Sequence, residues 1–167
     1  VCADVSAVTL NGLVLIASGG DWTTNGTGSF SPNSSSLGAT YIPSATDTAT
    51  GVVTITLTTT GNGQCQAYND QMTVTFNPAP IVFAGNDQTV CADISAVNLN
   101  GIISHATGGA WSSSGSGTFS PNNTSLNASY IPSSADTTIG GVTFTLTSSG
   151  NGSCNTYFNE LEVTFTN

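Results

Sequence analysis

The stretch Asn77–Asp93, NPAPIVFAGNDQTVCAD, decides how the chain is read. Its last four residues, Val90-Cys91-Ala92-Asp93, restate the first four of the chain, Val1-Cys2-Ala3-Asp4. An offset of 89 carries the second copy to the end without a gap. Trp22 falls on Trp111, Phe30 on Phe119, Tyr41 on Tyr130, Asp47 on Asp136 and Cys65 on Cys154. About 55% of aligned positions are identical, and a repeat of that strength sets the domain plan before any element is assigned. The plan is two small domains, residues 1–77 and 78–167, each long enough for one modest core. Pro78-Ala79-Pro80 links them, and two prolines in three residues favour an extended, semi-rigid spacer. The chain opens and closes in mid-motif, with no initiator Met, so it reads as a window on a longer array.

Outward from the seam, Ile81-Val82-Phe83-Ala84 is expected to enter the second domain as its first strand. The first domain lacks the equivalent residues. Either a preceding repeat supplies them or a neighbouring chain donates a strand. Val8–Gly12 alternates and predicts a short strand, continued by Leu13 to Ile16 and copied at Val97–Ser104. Trp22 follows Ser18-Gly19-Gly20 on the next strand, and Asn25-Gly26-Thr27-Gly28 reads as a tight hairpin turn. Ala39–Ile42 is a short strand stopped by Pro43. In Val53–Thr58, period-2 alternation puts Val53, Ile55 and Leu57 on one face and Thr54, Thr56 and Thr58 on the other. Met72, Val74 and Phe76 point inward on the last strand, copied as Leu161, Val163 and Phe165. No segment of useful length has helical periodicity. Short strands between turns, a Trp entering a strand and a long-range Cys pair predict an all-β chain of two tandem immunoglobulin-like β-sandwiches.

Composition narrows the function. The chain has 9 acidic residues and no Lys or Arg, so its surface cannot neutralise phosphates, and nucleic acid is excluded as a partner. A basic anchor for anionic lipid is missing for the same reason, and no apolar run is long enough to span a bilayer. Four Cys allow three pairings. The repeat selects Cys2–Cys65 and Cys91–Cys154, one bridge made twice across 63 residues. Each such bridge would contribute ~4 kcal/mol in the chain-entropy model. It is expected to clip an early loop to the final hairpin at one end of the sandwich. Bridges place the chain in an oxidising compartment, at a cell surface or outside the cell. The alternative is four free thiols.

Ala84-Gly85-Asn86-Asp87-Gln88-Thr89-Val90-Cys91, with Val97-Asn98-Leu99-Asn100-Gly101, resembles the start of PKD-like and Ig-like repeats. Ala106–Trp111, Gly117–Pro121, Ala128–Pro132 and Gly150–Cys154 extend the resemblance. Together they resemble tandem repeats of giant Bacteroidetes surface adhesins, including gliding-motility adhesins. The Trp-Asp-Phe-Gly-Asp-Gly segment of typical PKD domains is missing. The resemblance implies PKD-like sandwiches in an extracellular stalk exported by the type IX route, with neighbouring repeats as partners. It also implies an O-glycosylation signal at Asp47-Thr48-Ala49 and Asp136-Thr137-Thr138, with Thr48 and Thr137 as acceptors. The other reading of both tripeptides is an Asp-Thr turn whose carboxylate caps backbone amides.

The candidate catalytic side chains His105, Glu160 and Glu162 do not repeat. His105 is copied by Ile16, and Glu160 and Glu162 by Gln71 and Thr73, so a non-enzyme is expected. No cofactor is expected apart from a structural Ca²⁺ near the seam, with Asn86, Asp87 and Asp93 as candidate ligands. Trp22 and Trp111 read as core residues or as sugar-stacking platforms. The outward Thr rows read as strand formers or as a glycan-binding surface. The functional expectation is a repeat segment of an adhesin stalk projecting a distal tip. Its alternatives are a module that binds glycans or a partner, and a filament subunit joined by strand donation.

Overall fold

The computed structural model describes residues 1–166, nearly half of them in strands. The chain divides into two units, Val1–Pro78 and Ala79–Asn167, one residue later than the sequence boundary.

Unit 1 contains β1 (Val8–Thr9), β2 (Gly19–Thr24), β3 (Ser29–Ser31), β4 (Thr40–Ile42), α1 (Ala45–Thr50), β5 (Val52–Thr60) and β6 (Asn69–Thr75). One sheet runs β2-β5-β6 and the other β1-β4-β3, all antiparallel. Unit 2 contains β7 (Ile81–Phe83), β8 (Gln88–Cys91), β9 (Val97–Asn98), β10 (Ile102–Ser104), β11 (Gly108–Ser113), β12 (Thr118–Ser120), β13 (Ser129–Ile131), α2 (Ser134–Ile139), β14 (Gly141–Ser149) and β15 (Phe158–Thr166). Its sheets run β11-β14-β15-β8, β12-β13-β9 and β10-β7.

The alternation on β5 and β14 works as expected. Val53, Ile55 and Leu57 are buried, as are Val142, Phe144 and Leu146, while the intervening Thr are half-exposed. Trp22 and Trp111 join these cores, and each indole N–H donates to a backbone carbonyl, of Ser36 and Leu126 respectively. Burial supplies the main stabilising term, at about 1.5–3 kcal/mol per large apolar side chain. Tyr130 and Phe144 meet edge-on with centroids 4.7 Å apart. In unit 1 Ile55 takes the place of Phe144, and the ring contact is Phe30 with Tyr41 at 5.3 Å.

Four sequence expectations change. Asn25–Gly28 is not a hairpin turn: β2 pairs with β5 and β3 with β4, so the segment carries the chain from one sheet to the other. Leu13–Ile16 does not continue a strand in unit 1, and in unit 2 Ile102–Ser104 forms a separate strand, β10, in a different sheet from β9. Two six-residue helices stand where none was expected. Each begins at a capping box, Ser44 with Asp47 and Ser133 with Asp136, and ends at a left-handed glycine, Gly51 or Gly140.

The fourth change is the cysteine pairing. Cys65 and Cys91 are exposed free thiols, whereas Cys2 and Cys154 are disulfide-bonded. The bridges Cys2–Cys65 and Cys91–Cys154 are excluded by geometry. Cys2 pairs in parallel with Asn77, beyond the far end of β6, while Cys65 lies in the loop that leads into Asn69. The seven residues of β6 separate them by about 20 Å, against the roughly 7 Å of Cα separation that a disulfide tolerates. Cys91 lies opposite Thr166 at the end of β15, and Cys154 precedes the start of that strand. No bridge clips an early loop to the final hairpin within a unit.

Candidate functional site

The most strongly built feature recurs in both units around a buried carboxylate. Asp47 is 3% exposed and Asp136 is 1% exposed. Asp47 Oδ1 accepts from the Thr27 backbone N–H at 2.8 Å. Its Oδ2 accepts from the Tyr41 hydroxyl at 2.8 Å and the Ser44 N–H at 2.9 Å. The Asp47 N–H returns a bond to Ser44 Oγ at 3.1 Å. Asp136 repeats the set with Ser116, Tyr130 and Ser133, and adds the Gly117 N–H at 3.0 Å. One carboxylate thus ties a helix N-terminus, a strand Tyr and the inter-sheet crossover. Gly28 and Gly117 are required beside it: a Cβ there would lie 2.6 Å from a Tyr ring carbon and 2.4 or 2.3 Å from a carbonyl oxygen.

Burial opposes ionisation of each Asp. The N–H groups of Ser44 and Thr27, the Tyr41 phenol and the Ser44 hydroxyl outweigh it and hold Asp47 down at about 2. The Ser116, Ser133 and Tyr130 groups hold Asp136 there too. Burial, and the carboxylate beside each ring, push the Tyr41 and Tyr130 phenols up. An anion enclosed by donors braces the fold and has no base or nucleophile to offer a substrate. The reading of Asp47 and Asp136 as carboxylates capping backbone amides therefore describes their geometry.

Thr48 and Thr137 lie half-buried on α1 and α2, and each hydroxyl donates to a carbonyl one turn back, of Ala45 and Ser134. Asn86, Asp87 and Asp93 do not converge. β8 stands between Asp87 and Asp93 and is about 13 Å long, and Asp87 accepts the Glu162 N–H at 2.8 Å. Among the described residues, no three His, Cys, Asp or Glu side chains are grouped to hold a metal. His105 is exposed at positive φ with Nδ1 3.2 Å from the Ala79 carbonyl, and its copy Ile16 shares that backbone conformation. Glu160 and Glu162 are exposed on one face of β15, and Thr145 donates to Glu160. Both Trp are buried, so neither is a sugar platform.

A second feature belongs to unit 1 alone. Asn11, Gly12, Leu13, Trp22, Leu57 and Met72 line an open groove of about 300 Å³. Met72 is 39% exposed there, while its copy Leu161 is 1% exposed. The sequence placed Met72 inward, and that expectation fails because nothing covers it.

No protein-family model matches the chain, and no curated protein matches it. Among solved structures, Drosophila N-cadherin EC1-4 aligns at 13% identity and TM-score 0.44, over 89% of this chain and 41% of that one. Human protocadherin-24 EC1-2 aligns at 9% and 0.43, over 89% and 82%. Mouse cadherin-23 EC22-24 aligns at 13% and 0.40, over 88% and 54%, so the chain spans about half of that structure or less of several others. At those scores the likeness has no weight for function, and the β-sandwich assignment rests on the strands and cores themselves.

Proposed function

We propose that the chain is a structural repeat segment of a long extracellular fibre or adhesin stalk, non-catalytic, which projects a distal tip and carries tension. The observation that carries this reading is what the repeat keeps. Both copies keep the carboxylate clasp, the core Trp and the strand alternation, whereas His105, Glu160 and Glu162 of the second copy are Ile16, Gln71 and Thr73 in the first. Beads of similar sequence suit a string in which every unit does the same mechanical work. Disulfide-bonded Cys2 and Cys154 support an oxidising, extracellular setting. The resemblance to Bacteroidetes adhesin repeats supports a cell-surface location, type IX export and O-glycans on Thr48 and Thr137. Added hexose-type mass on those two residues is the expected mark, and unmodified native peptides would remove that part of the proposal. The stalk itself is tested by the reduced, denatured mass of the native polypeptide. A mass many times that of two repeats supports it, and a mass near two repeats contradicts it.

A further inference from the structure

We infer that the groove of unit 1 is a strand acceptor, built to take an extended segment with the chemistry of Ile81–Thr89 that leads into Val1 as that segment leads into Val90. The inference deepens the stalk reading and rests on it for the source of the segment.

Unit 2 shows the site filled. There β7 pairs antiparallel with β10, Phe83 opposite Ile102, Val82 opposite Ile103 and Ile81 opposite Ser104. Val82 packs against the core and Ala84 is fully buried. The Ala84 N–H donates to Asn159 Oδ1 at 2.9 Å. At Gly85 the chain passes close above Leu161, since a Cβ there would sit 3.4 Å from Leu161 Cδ2. From Gln88 it continues as β8, parallel to β15.

Unit 1 has the same receiving surface without the segment. Gly12, Trp22, Leu57 and Met72, which line the groove, are the copies of Gly101, Trp111, Leu146 and Leu161. Trp22 and Leu57 are 6% and 9% exposed, against 1% and 0% for Trp111 and Leu146. Leu13 and Leu15 stand 76% and 73% exposed at the places of Ile102 and Ser104, with no strand paired to them. In the unit 2 register, a donor's Phe and Ile would lie opposite Leu13 and Leu15, an apolar match at both positions. Asp70, the copy of Asn159, is exposed and placed to accept the donor's Ala N–H. Backbone pairing would supply affinity, and the alternating side chains would supply register.

The test is the full chain carrying a copy of residues 79–89, APIVFAGNDQT, joined directly to Val1 as Thr89 is joined to Val90. A second chain carries the same eleven residues scrambled. Hydrogen exchange is read at residues 13–16, with size measured in parallel. The inference predicts roughly tenfold or more slowing with the true prefix in a monomer and none with the scrambled one. Equal exchange in the two chains overturns it. Slowing seen only in oligomers overturns the segment leading into Val1 as the occupant and makes a second copy the donor. A native polypeptide of only two repeats together with a protected groove would sink the stalk and leave the acceptor standing.

Discussion

The two units are one design in two states of completion. Unit 2 has β7 and β8 laid along its edges, while unit 1 has an isolated bridge, Cys2 with Asn77, where β8 would run. The carboxylate clasp is the same in both, with Tyr hydroxyl to Asp distances of 2.8 and 2.9 Å. The cores nonetheless differ at the uncovered face, where Met72 and Leu57 gain exposure over Leu161 and Leu146. A sandwich of this kind is therefore held by two separable devices. An internal clasp does not depend on the chain ahead of it, and an edge segment, β7 and β8 in unit 2, is laid on by the residues that lead into the unit.

The comparison can be broken most severely at the clasp. Asp136→Ala and Asp47→Ala strip a buried acceptor from several neutral donors, each costing about 1–3 kcal/mol when left unsatisfied, and should each cost the affected unit about 3–5 kcal/mol in chemical denaturation. Similar losses in both units are expected, and a neutral substitution in either would remove the clasp from the account. The covered face gives the next effect. Leu161→Ala should cost about 2–4 kcal/mol, while Met72→Ala should cost less than about 1 kcal/mol. Equal costs would mean that the two faces are equally packed.

Acid comes third. Each clasp Asp is held at about 2 when folded against 3.8 as the unperturbed value. Its stabilising contribution is complete well above pH 4 and is lost as pH falls through the folded value. Each unit should thus lose about 2 kcal/mol between pH 5 and pH 1, and flat stability across that window would contradict the assignment. The smallest perturbation is chemical. An alkylating reagent without reductant should label Cys65 and Cys91 alone, with Cys2 and Cys154 reacting only after reduction. Labelling at Cys2 or Cys154 in the unreduced chain would go against that pattern.

Much of this was legible in the sequence. The period fixed two equal units, the alternation on Val53–Leu57 placed one sheet's inner face, and the Trp entering β2 and β11 belonged to the core. The cysteine pairing was not legible from symmetry, because equal spacing in two copies says nothing about distance within one. Had β6 been laid between Cys65 and the residue beside Cys2, the length of the strand would have excluded the bridge. The helices escaped a search for 3.6-residue periodicity because six residues give under two turns. Their signal was local: Ser, then Asp three residues on, then Gly past the end. The Asn25–Gly28 crossover looked like a hairpin because its glycines suit either path. The partner of β2 decides it, and that partner, β5, lies more than 25 residues downstream.

The most direct measurement is native-state hydrogen exchange on the unmodified chain, comparing residues 13–15 with 102–104. The account predicts protection across Ile102–Ser104, where β7 pairs, and fast exchange across Leu13–Leu15, where nothing does. Matching protection in the two segments would contradict the claim that unit 1 differs from unit 2 by an unfilled strand site.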